Sequence, residues 1–514
     1  VVERVQNTTS TLEKLELYEG HLLNWYNTET LQPLYPKYVS TVDSGNLIGT
    51  LWTLQQGLEE LIHQPLLEKQ LFVGFCDCLT LSQKTGSQME PLHALATQSL
   101  TVANVRKALS LAKEINQSLD EKETEYWWRK GIEQLEVSNK VIDTFLVYAD
   151  LLTNMPNEPQ LQEWVKENIE LIPSLNQLKN FTFPESSSNW SSEAVKWVEQ
   201  LKPVLKQAKD NAENFILRIH ALIERIKKLA NNMHMQFLYN PDRKLFSVGY
   251  NVSDRKLDNS YYDLLASEAR IASFVAIAEG DVPASHWWTL GRPFNHCYGR
   301  LVLQSWGGTM FEYLMPVLIM RNYDNTLLGK ACDDAVICQI EYGKARGIPW
   351  GISESAYSGL DFHKIYQYRA FGVPGLGLKR GLENDLVVTP YSSALALMID
   401  PATALDNMKA LSLKCKMYGN YGFYEAIDFT REQNAQGKRG VIIYAYMAHH
   451  MAMSLISIHN TLFQQAMQRL FHKDPRVAAS ESLLFERINI PHARTDIHMK
   501  EMPIPKLQPF IPAE

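Results

Sequence analysis

Phe215, Ile219, Leu222, Ile226 and Leu229 are separated alternately by four and three positions. That spacing sets all five on one stripe of a helix about 20 residues long, with Arg218, Glu224, Arg225 and Lys227 around it. An apolar stripe of this length has to be buried against other elements, so the surrounding chain is constrained to helical packing. Similar stripes run through Leu47–Leu67 and Tyr126–Leu152, and the pattern from Thr11 to Leu229 reads as helical nearly throughout. The polar, proline-containing stretch FTFPESSSNWSS (181–192) reads as a surface loop.

At 237–252 the period changes. FLYNPDRKLFSVGYNV is two short β-rich runs around Asn240-Pro241-Asp242-Arg243, a hairpin signal. The main boundary is expected just before it. This gives an N-terminal helical domain over 1–236, a second domain over 237–490 and a Pro-rich tail or linker over 491–514. In the second domain, helical segments (260–280, 309–320, 328–346, 390–413, 441–470) alternate with loops rich in glycine and aromatics. Helices joined by long, chemically dressed loops suggest an all-α barrel or toroid whose site is built from the loops. Periodicity alone does not separate that from a generic helical domain.

Composition narrows the function. With 514 residues, 45% hydrophobic and 21% charged, the chain has the makings of a large core and is neither disordered nor fibrous. Fifty basic against 57 acidic residues, net −7, argue against nucleic acid or an anionic membrane as the main partner, and fit a neutral polar ligand. Six cysteines without a CxxC pair read as free thiols, which leans towards the cytoplasm. No apolar run reaches the roughly 18 residues of a membrane span. The N-terminus VVERVQNTTS has no signal pattern and no initiator methionine, so the chain is expected to be an excised or processed piece of something longer.

Several familiar motifs are missing: HExxH, the P-loop and GxSxG. The run from Gly375 to Gly381 (GLGLKRG) nearly mimics a dinucleotide fingerprint, but its last glycine is one place late, and a tight glycine-rich loop is the better reading. His449-His450 falls in an expected helix, where neighbours point about 100° apart and do not readily share a metal. A core histidine, or one supporting a site residue, is favoured there over zinc. What remains is carboxylates among aromatics and glycines. They lie in WGISESAY (350–357), YGFYEAIDF (421–429), WGGTMFEY (306–313) and VDSGN (42–46). Taken singly, each acid reads as a cap or a buried ion pair. Together they suit a sugar site, in which rings stack on pyranose faces and two carboxylates work on the glycosidic bond.

The chain also resembles the middle, glycoamylase-like domain of bacterial cyclic β-1,2-glucan synthases, transglycosylases related to endo-β-1,2-glucanases. The resemblance rests on NWYNTETLQPLYPKYVSTVDSGNL (24–47), the long stretch 245–283, HWWTLGRP (286–293), GTMFEYLMP (308–316), PWGISESAY (349–357), YQYRAFGVPGLGLKRGL (366–382), YGFYEAIDF (421–429) and YMAHHMAMSL (446–455). It implies an all-α (α/α)6 barrel preceded by a helical domain, with minor β-hairpins. It implies cleavage of linear β-1,2-glucan and its rejoining into a ring, with no metal and no organic cofactor. Carried onto this sequence, Glu354 is the general acid/base and Glu425 the nucleophile. Glu312, Asp43, Trp350, Tyr357, Lys379, Arg380 and Asp428 are candidates for binding or positioning.

Cyclisation needs a covalent glycosyl-enzyme intercepted by a sugar hydroxyl, hence carboxyls about 5–5.5 Å apart, whereas an inverting hydrolase spaces them about 6.5–9.5 Å apart. Glu354 is expected to have a raised pKa through burial beside Trp350 and Tyr357. One departure from the family pattern is Met451-Ala452-Met453, where Gln-Gly-Met is usual, and a lost glutamine removes a polar group from the site. The partners implied are β-1,2-glucan and the glycosyltransferase and phosphorylase-like domains of a full synthase, with no nucleic acid and no direct membrane insertion. That role places the domain on the cytoplasmic side of the bacterial inner membrane. The alternatives are a stand-alone inverting endo-β-1,2-glucanase, periplasmic or secreted, and a non-catalytic glucan-binding module.

Overall fold

The structure is a computed structural model that describes residues 1–82, 89–96, 98, 100–117, 126–169, 172–182, 190–431 and 440–487. The tail expected over 491–514 and part of the loop expected over 181–192 lie outside the described residues. Among the described residues helices dominate, with seven small sheets of two or three strands, in keeping with a mainly helical fold carrying minor hairpins. No disulfide joins the six cysteines. No described helix is long and apolar enough to cross a membrane.

The chain divides into two compact units. One is Gly57–Arg225; the other combines Glu3–Gln56 with the chain from Ile226 onward. The units part between Arg225 and Ile226, inside the helix Ser192–Asn231 and upstream of the boundary expected before 237. The segment Glu3–Gln56 is grouped with the second unit, not with the N-terminal helical domain expected over 1–236. The first unit is helical, and its core joins Phe72, Phe75, Leu79, Leu92, Trp128 and Leu135.

The helix Ser192–Asn231 is 40 residues long, well beyond the 20 expected from its stripe. Its buried line runs through Val198, Leu201, Leu205, Ala208, Ala212, Ile216, Ile219, Leu222, Ile226 and Ala230. The alanines and the internal Pro203 hide the upstream half from a reading of apolar spacing. Phe215 flanks the line, with its ring 5.4 Å from Phe145.

The second unit carries the catalytic candidates. The strand Tyr38–Ser40 pairs antiparallel with Gly249–Asn251, which ties the N-terminal segment to the rest of the unit. Residues 13–40, expected to be helical, are instead short strands and loops: paired strands of two or three residues are too short for a period to register. The hairpin signal at 240–243 is realised. Tyr239–Asn240 pairs with Leu245–Ser247, and Asn240 Oδ1 accepts from the amides of Asp242 and Arg243.

Beyond the strand, the helix Thr41–Leu61 packs against Arg270–Glu279 at Gly45. A Cβ on Gly45 would lie 2.3 Å from Cα and Cβ of Ala272, so only glycine allows that approach. Deeper along the same helix, Trp52 stacks on Phe471, which meets Phe274. Gly45→Ala should therefore lower stability by about 1–3 kcal/mol through overpacking. Urea unfolding checks this, and an unchanged midpoint would show that the two helices are not clamped here.

Candidate active site

Glu354 immediately precedes the strand Ser355–Leu360, which pairs with Tyr366–Arg369 so that Ala356 lies opposite Tyr368. Residues two apart on a strand, and residues directly opposed, share a face, which turns Glu354, Ala356 and Tyr368 to one side. Glu425 immediately precedes the strand Ala426–Asp428, the middle of a sheet with Val387–Val388 and Val441–Ile443. Its backbone is held on both sides. The amide donates to Ala445 O (3.0 Å), and the carbonyl accepts from Thr389 Oγ1 (2.7 Å).

The two carboxyls meet through these elements. Glu425 Oε1 accepts from the Ala356 amide (3.2 Å), and Oε2 lies 2.9 Å from His450 Nδ1. A carboxylate at that distance places the ring proton on Nδ1. His450 Nε2 is 3.4 Å from the Tyr368 hydroxyl, which is 3.5 Å from Glu354 Oε2. The polar string therefore reads Glu354, Tyr368, His450, Glu425. His450 comes from the helix Ala448–Leu462 and is buried, its ring stacked on Tyr391 at 3.8 Å and 14°. Of the pair 449–450, His450 is the buried one and is bonded to the candidate Glu425. Tyr391 is itself fixed, with its hydroxyl 2.7 Å from Ser353 Oγ and 3.0 Å from the Glu354 carbonyl oxygen.

Burial pushes the half-buried Glu354 up to about 7, with the charge of Glu312 adding to the shift, against Tyr368 and the Lys379 ammonium, which oppose it. The expected rise is therefore present and burial is its leading cause, but the aromatic neighbours differ from those expected. Trp350 is a core residue whose backbone is clamped by Asn407, while Gly343 packs against its Cα and Cβ. Tyr357 lies under Arg431 (4.5 Å). The aromatic in contact with the Glu354 carboxyl is Tyr368.

Glu312 is buried in a capping box with Thr309. Its carboxylate accepts from the amides of Gly307 (2.7 Å) and Thr309 (2.9 Å) and from Ser305 Oγ (2.9 Å). It organises the 305–309 loop, and its charge acts on Glu354. Burial outweighs those donors and raises its own pKa. Asp428 is also buried, which by itself would raise its pKa. Ser358 (2.7 Å), Arg431 (2.9 Å) and the Thr430 amide (2.9 Å) hold it below the usual carboxylate range.

Lys379 and Arg380 are exposed on the glycine-rich loop 375–381. This loop lies on the 305–309 loop through Lys379 N to Trp306 O (3.0 Å). Asp43 is exposed in the first turn of its helix, and its charge reaches His449 and Tyr262.

Three residues beyond the candidates drawn from the sequence belong to these surroundings. Tyr368 becomes visible only through the pairing register. Glu268 is pushed up to about 8 by burial, and then by the charges of Glu312 and Glu354. Trp306, half exposed, has its indole fixed by Asp263 (2.6 Å). Trp306 lay within a segment noted for its aromatics, whereas Glu268 had no such company.

A cavity of about 390 Å³ opens beside Glu425 and His450, lined by Tyr391, Tyr424, Tyr446, Met447 and Met451. The family departure at Met451 thus sits in the cavity wall. Exposed Tyr421 and Tyr444 join the rim, in ring contact with Tyr446 and Tyr424 respectively. A larger groove of about 780 Å³ beside Arg300, Lys330 and Asp334 contains none of the predicted site residues.

Residues 260–475 match a family model, Glycoamylase, described as "Putative glucoamylase". The chain is 34% identical over 494 residues to cyclic beta-(1,2)-glucan synthase NdvB of Rhizobium meliloti (strain 1021). The match covers 95% of this chain and 16% of that protein. An endo-beta-1,2-glucanase from Chitinophaga pinensis, in complex with sophorotriose and glucose, aligns with a TM-score of 0.41 at 17% identity, covering 52% of this chain and 65% of that one. An endo-beta-1,2-glucanase mutant from Talaromyces funiculosus, with β-1,2-glucan, aligns at 0.42 and 11% identity, covering 95% and 93%. The resemblance to the glycoamylase-like domain of the synthases is borne out by the family match and the sequence identity.

Because the Lys379 charge favours the carboxylate form of Glu354, Lys379→Ala should raise the Glu354 pKa, by about half a unit at this exposed position. Carboxyl-labelled NMR titration checks it, and a downward shift would contradict the electrostatics described.

Proposed function

We propose that this chain is the glucan-cleaving and glucan-joining part of a larger cyclic β-1,2-glucan synthase, acting with retention of anomeric configuration. The observation that carries the reading is two unlike carboxyls joined by one polar string. Glu354 holds its proton near neutrality, while Glu425 is buried with a hydrogen bond on each oxygen. Glycoside cleavage asks for that division: an acid for the leaving oxygen and a carboxylate for the anomeric carbon.

In this reading Glu425 attacks the anomeric carbon while the Glu354 proton passes to the bridging oxygen, which leaves as a sugar hydroxyl. A second hydroxyl, from the far end of the same glucan, then attacks the glycosyl-enzyme. Its proton returns to Glu354 and the Glu425 carboxylate is released. The apolar wall of Met447 and Met451 beside Glu425 supports exclusion of water at this stage.

Trp306 and the tyrosines around 421–446 present ring faces for glucosyl units. Asp43, Tyr357, Lys379 and Arg380 bind or orient the chain, whereas Glu312 and Asp428 hold the loops in register. Catalysis belongs to the segment 237–490, completed by the N-terminal segment that carries Asp43. The 16% span of the synthase relative supports glycosyltransferase and phosphorylase-like partners in the same polypeptide. A synthase so built would work on the cytoplasmic side of the inner membrane.

Glu354→Gln should lower cleavage of linear β-1,2-glucan on the order of 10²–10⁴-fold, and Glu425→Gln at least as much. Azide with Glu425→Gly should restore cleavage and yield an α-glycosyl azide, identified by NMR. A β-azide from that variant would remove Glu425 from the nucleophile's role, full cleavage by both Gln variants would remove both acids from catalysis, and a wild-type protein that binds the glucan without cleaving it would be a binding module.

A further inference from the structure

The geometry points to Tyr368 as a positioning residue whose one hydroxyl proton serves His450 while Glu354 is protonated, and turns to Glu354 once that proton has gone to the leaving sugar. The inference rests on the retaining reading above. The Tyr368 hydroxyl lies between Glu354 Oε2 at 3.5 Å and His450 Nε2 at 3.4 Å, two long and nearly equal distances to two acceptors. His450 has its proton on Nδ1, facing Glu425 at 2.9 Å, which leaves Nε2 bare and in need of a donor. Tyr391, stacked on the same imidazole, has its hydroxyl at Ser353 and the Glu354 carbonyl. One proton therefore faces two claims.

The protonation state of Glu354 decides between them. A protonated Glu354 has little use for a donor, so the hydroxyl completes His450 and the acid keeps its proton. When Glu425 has bonded to the anomeric carbon and the Glu354 proton has become the leaving sugar's hydroxyl hydrogen, Glu354 is an anion. A charge-assisted hydrogen bond outcompetes a neutral one, so the Tyr368 proton turns to it. When the acceptor hydroxyl attacks and its proton returns to Glu354, the rotor swings back.

Tyr368 itself never gives up its proton. Burial and the charges of Glu354 and Glu425 push its hydroxyl well above the usual tyrosine range. Only the C–O torsion changes, because the rings are held: the hydroxyl lies on a paired strand, and the imidazole lies on Tyr391 with His449 at 4.0 Å. The other groups acting on Glu354 are Glu312, Glu268 and Lys379, from neighbouring loops, and none of them alternates between two partners in this way.

Tyr368→Phe tests this by removing a single oxygen from a partly exposed ring. Two substrates separate the roles: long linear β-1,2-glucan, whose leaving hydroxyl needs the Glu354 proton, and a linear β-1,2-gluco-oligosaccharide bearing a β-fluoride, whose leaving group does not. The variant should cleave the glucan about tenfold more slowly but lose only about twofold on the fluoride, where His450 misses its donor and no proton is asked of Glu354. The basic limb of its pH profile on glucan should move up by about one unit, since the Glu354 anion has lost its donor.

Equal losses on both substrates with an unmoved limb would make Tyr368 a structural prop and overturn the inference, as would wild-type behaviour on both. Failure of the retaining reading shows separately, in the wild-type protein. Products of the α-anomer from glucan would mean inversion and would overturn the inference along with that reading.

Discussion

His450 is held on its ring face by Tyr391, at one edge by the Glu425 carboxylate and at the other by the Tyr368 hydroxyl. A planar ring with two nitrogens on different edges can join two groups that never touch, and fix the direction in which protons are offered between them. That constraint organises the site. It orients Glu425 through one oxygen while the Ala356 amide orients it through the other, and Ala356 belongs to the strand that Glu354 opens. The strand pair 355–369 is thereby tied to Glu425 and to His450, which are distant from it in sequence.

Around that string the unit gathers more negative charge than it could hold ionised. Glu268, Glu312 and Glu354 act on one another, and all three are raised. The cluster persists because each acid is handled differently. Glu312 is wrapped by two amides and a hydroxyl, Glu268 keeps its proton near neutrality, and Glu354 is left poised near 7. A poised carboxyl linked through Tyr368 and His450 to a carboxyl with one hydrogen bond on each oxygen is the asymmetry on which the proposed roles of acid and nucleophile rest. Gly45 contributes from a distance, since the close helix approach it permits belongs to the element that carries Asp43, whose charge reaches Tyr262 and His449.

The sequence made some of this legible and hid the rest for definite reasons. Long apolar stripes gave the helices, and the change of period gave the hairpin at 239–247. Strands of two or three residues, such as Tyr38–Ser40, carry too few positions for a period, so the N-terminal sheet was invisible. Glu354 and Glu425 stood out because glycines and aromatics surround them in the chain. Trp350 drew attention by the same logic and proves to be core, since local composition does not say which way a side chain points. Tyr368 and Glu268 gain their importance from groups remote in sequence, by strand register and by burial, and no spacing within one segment reports that.

The most direct measurement is to incubate the protein with long linear β-1,2-glucan and to follow the products by mass spectrometry and anomeric NMR. A retaining, ring-closing domain gives products lighter by one water than the linear chains, with every new linkage β. Linear oligosaccharides released first as the α-anomer would contradict it, and would make Glu425 something other than the nucleophile.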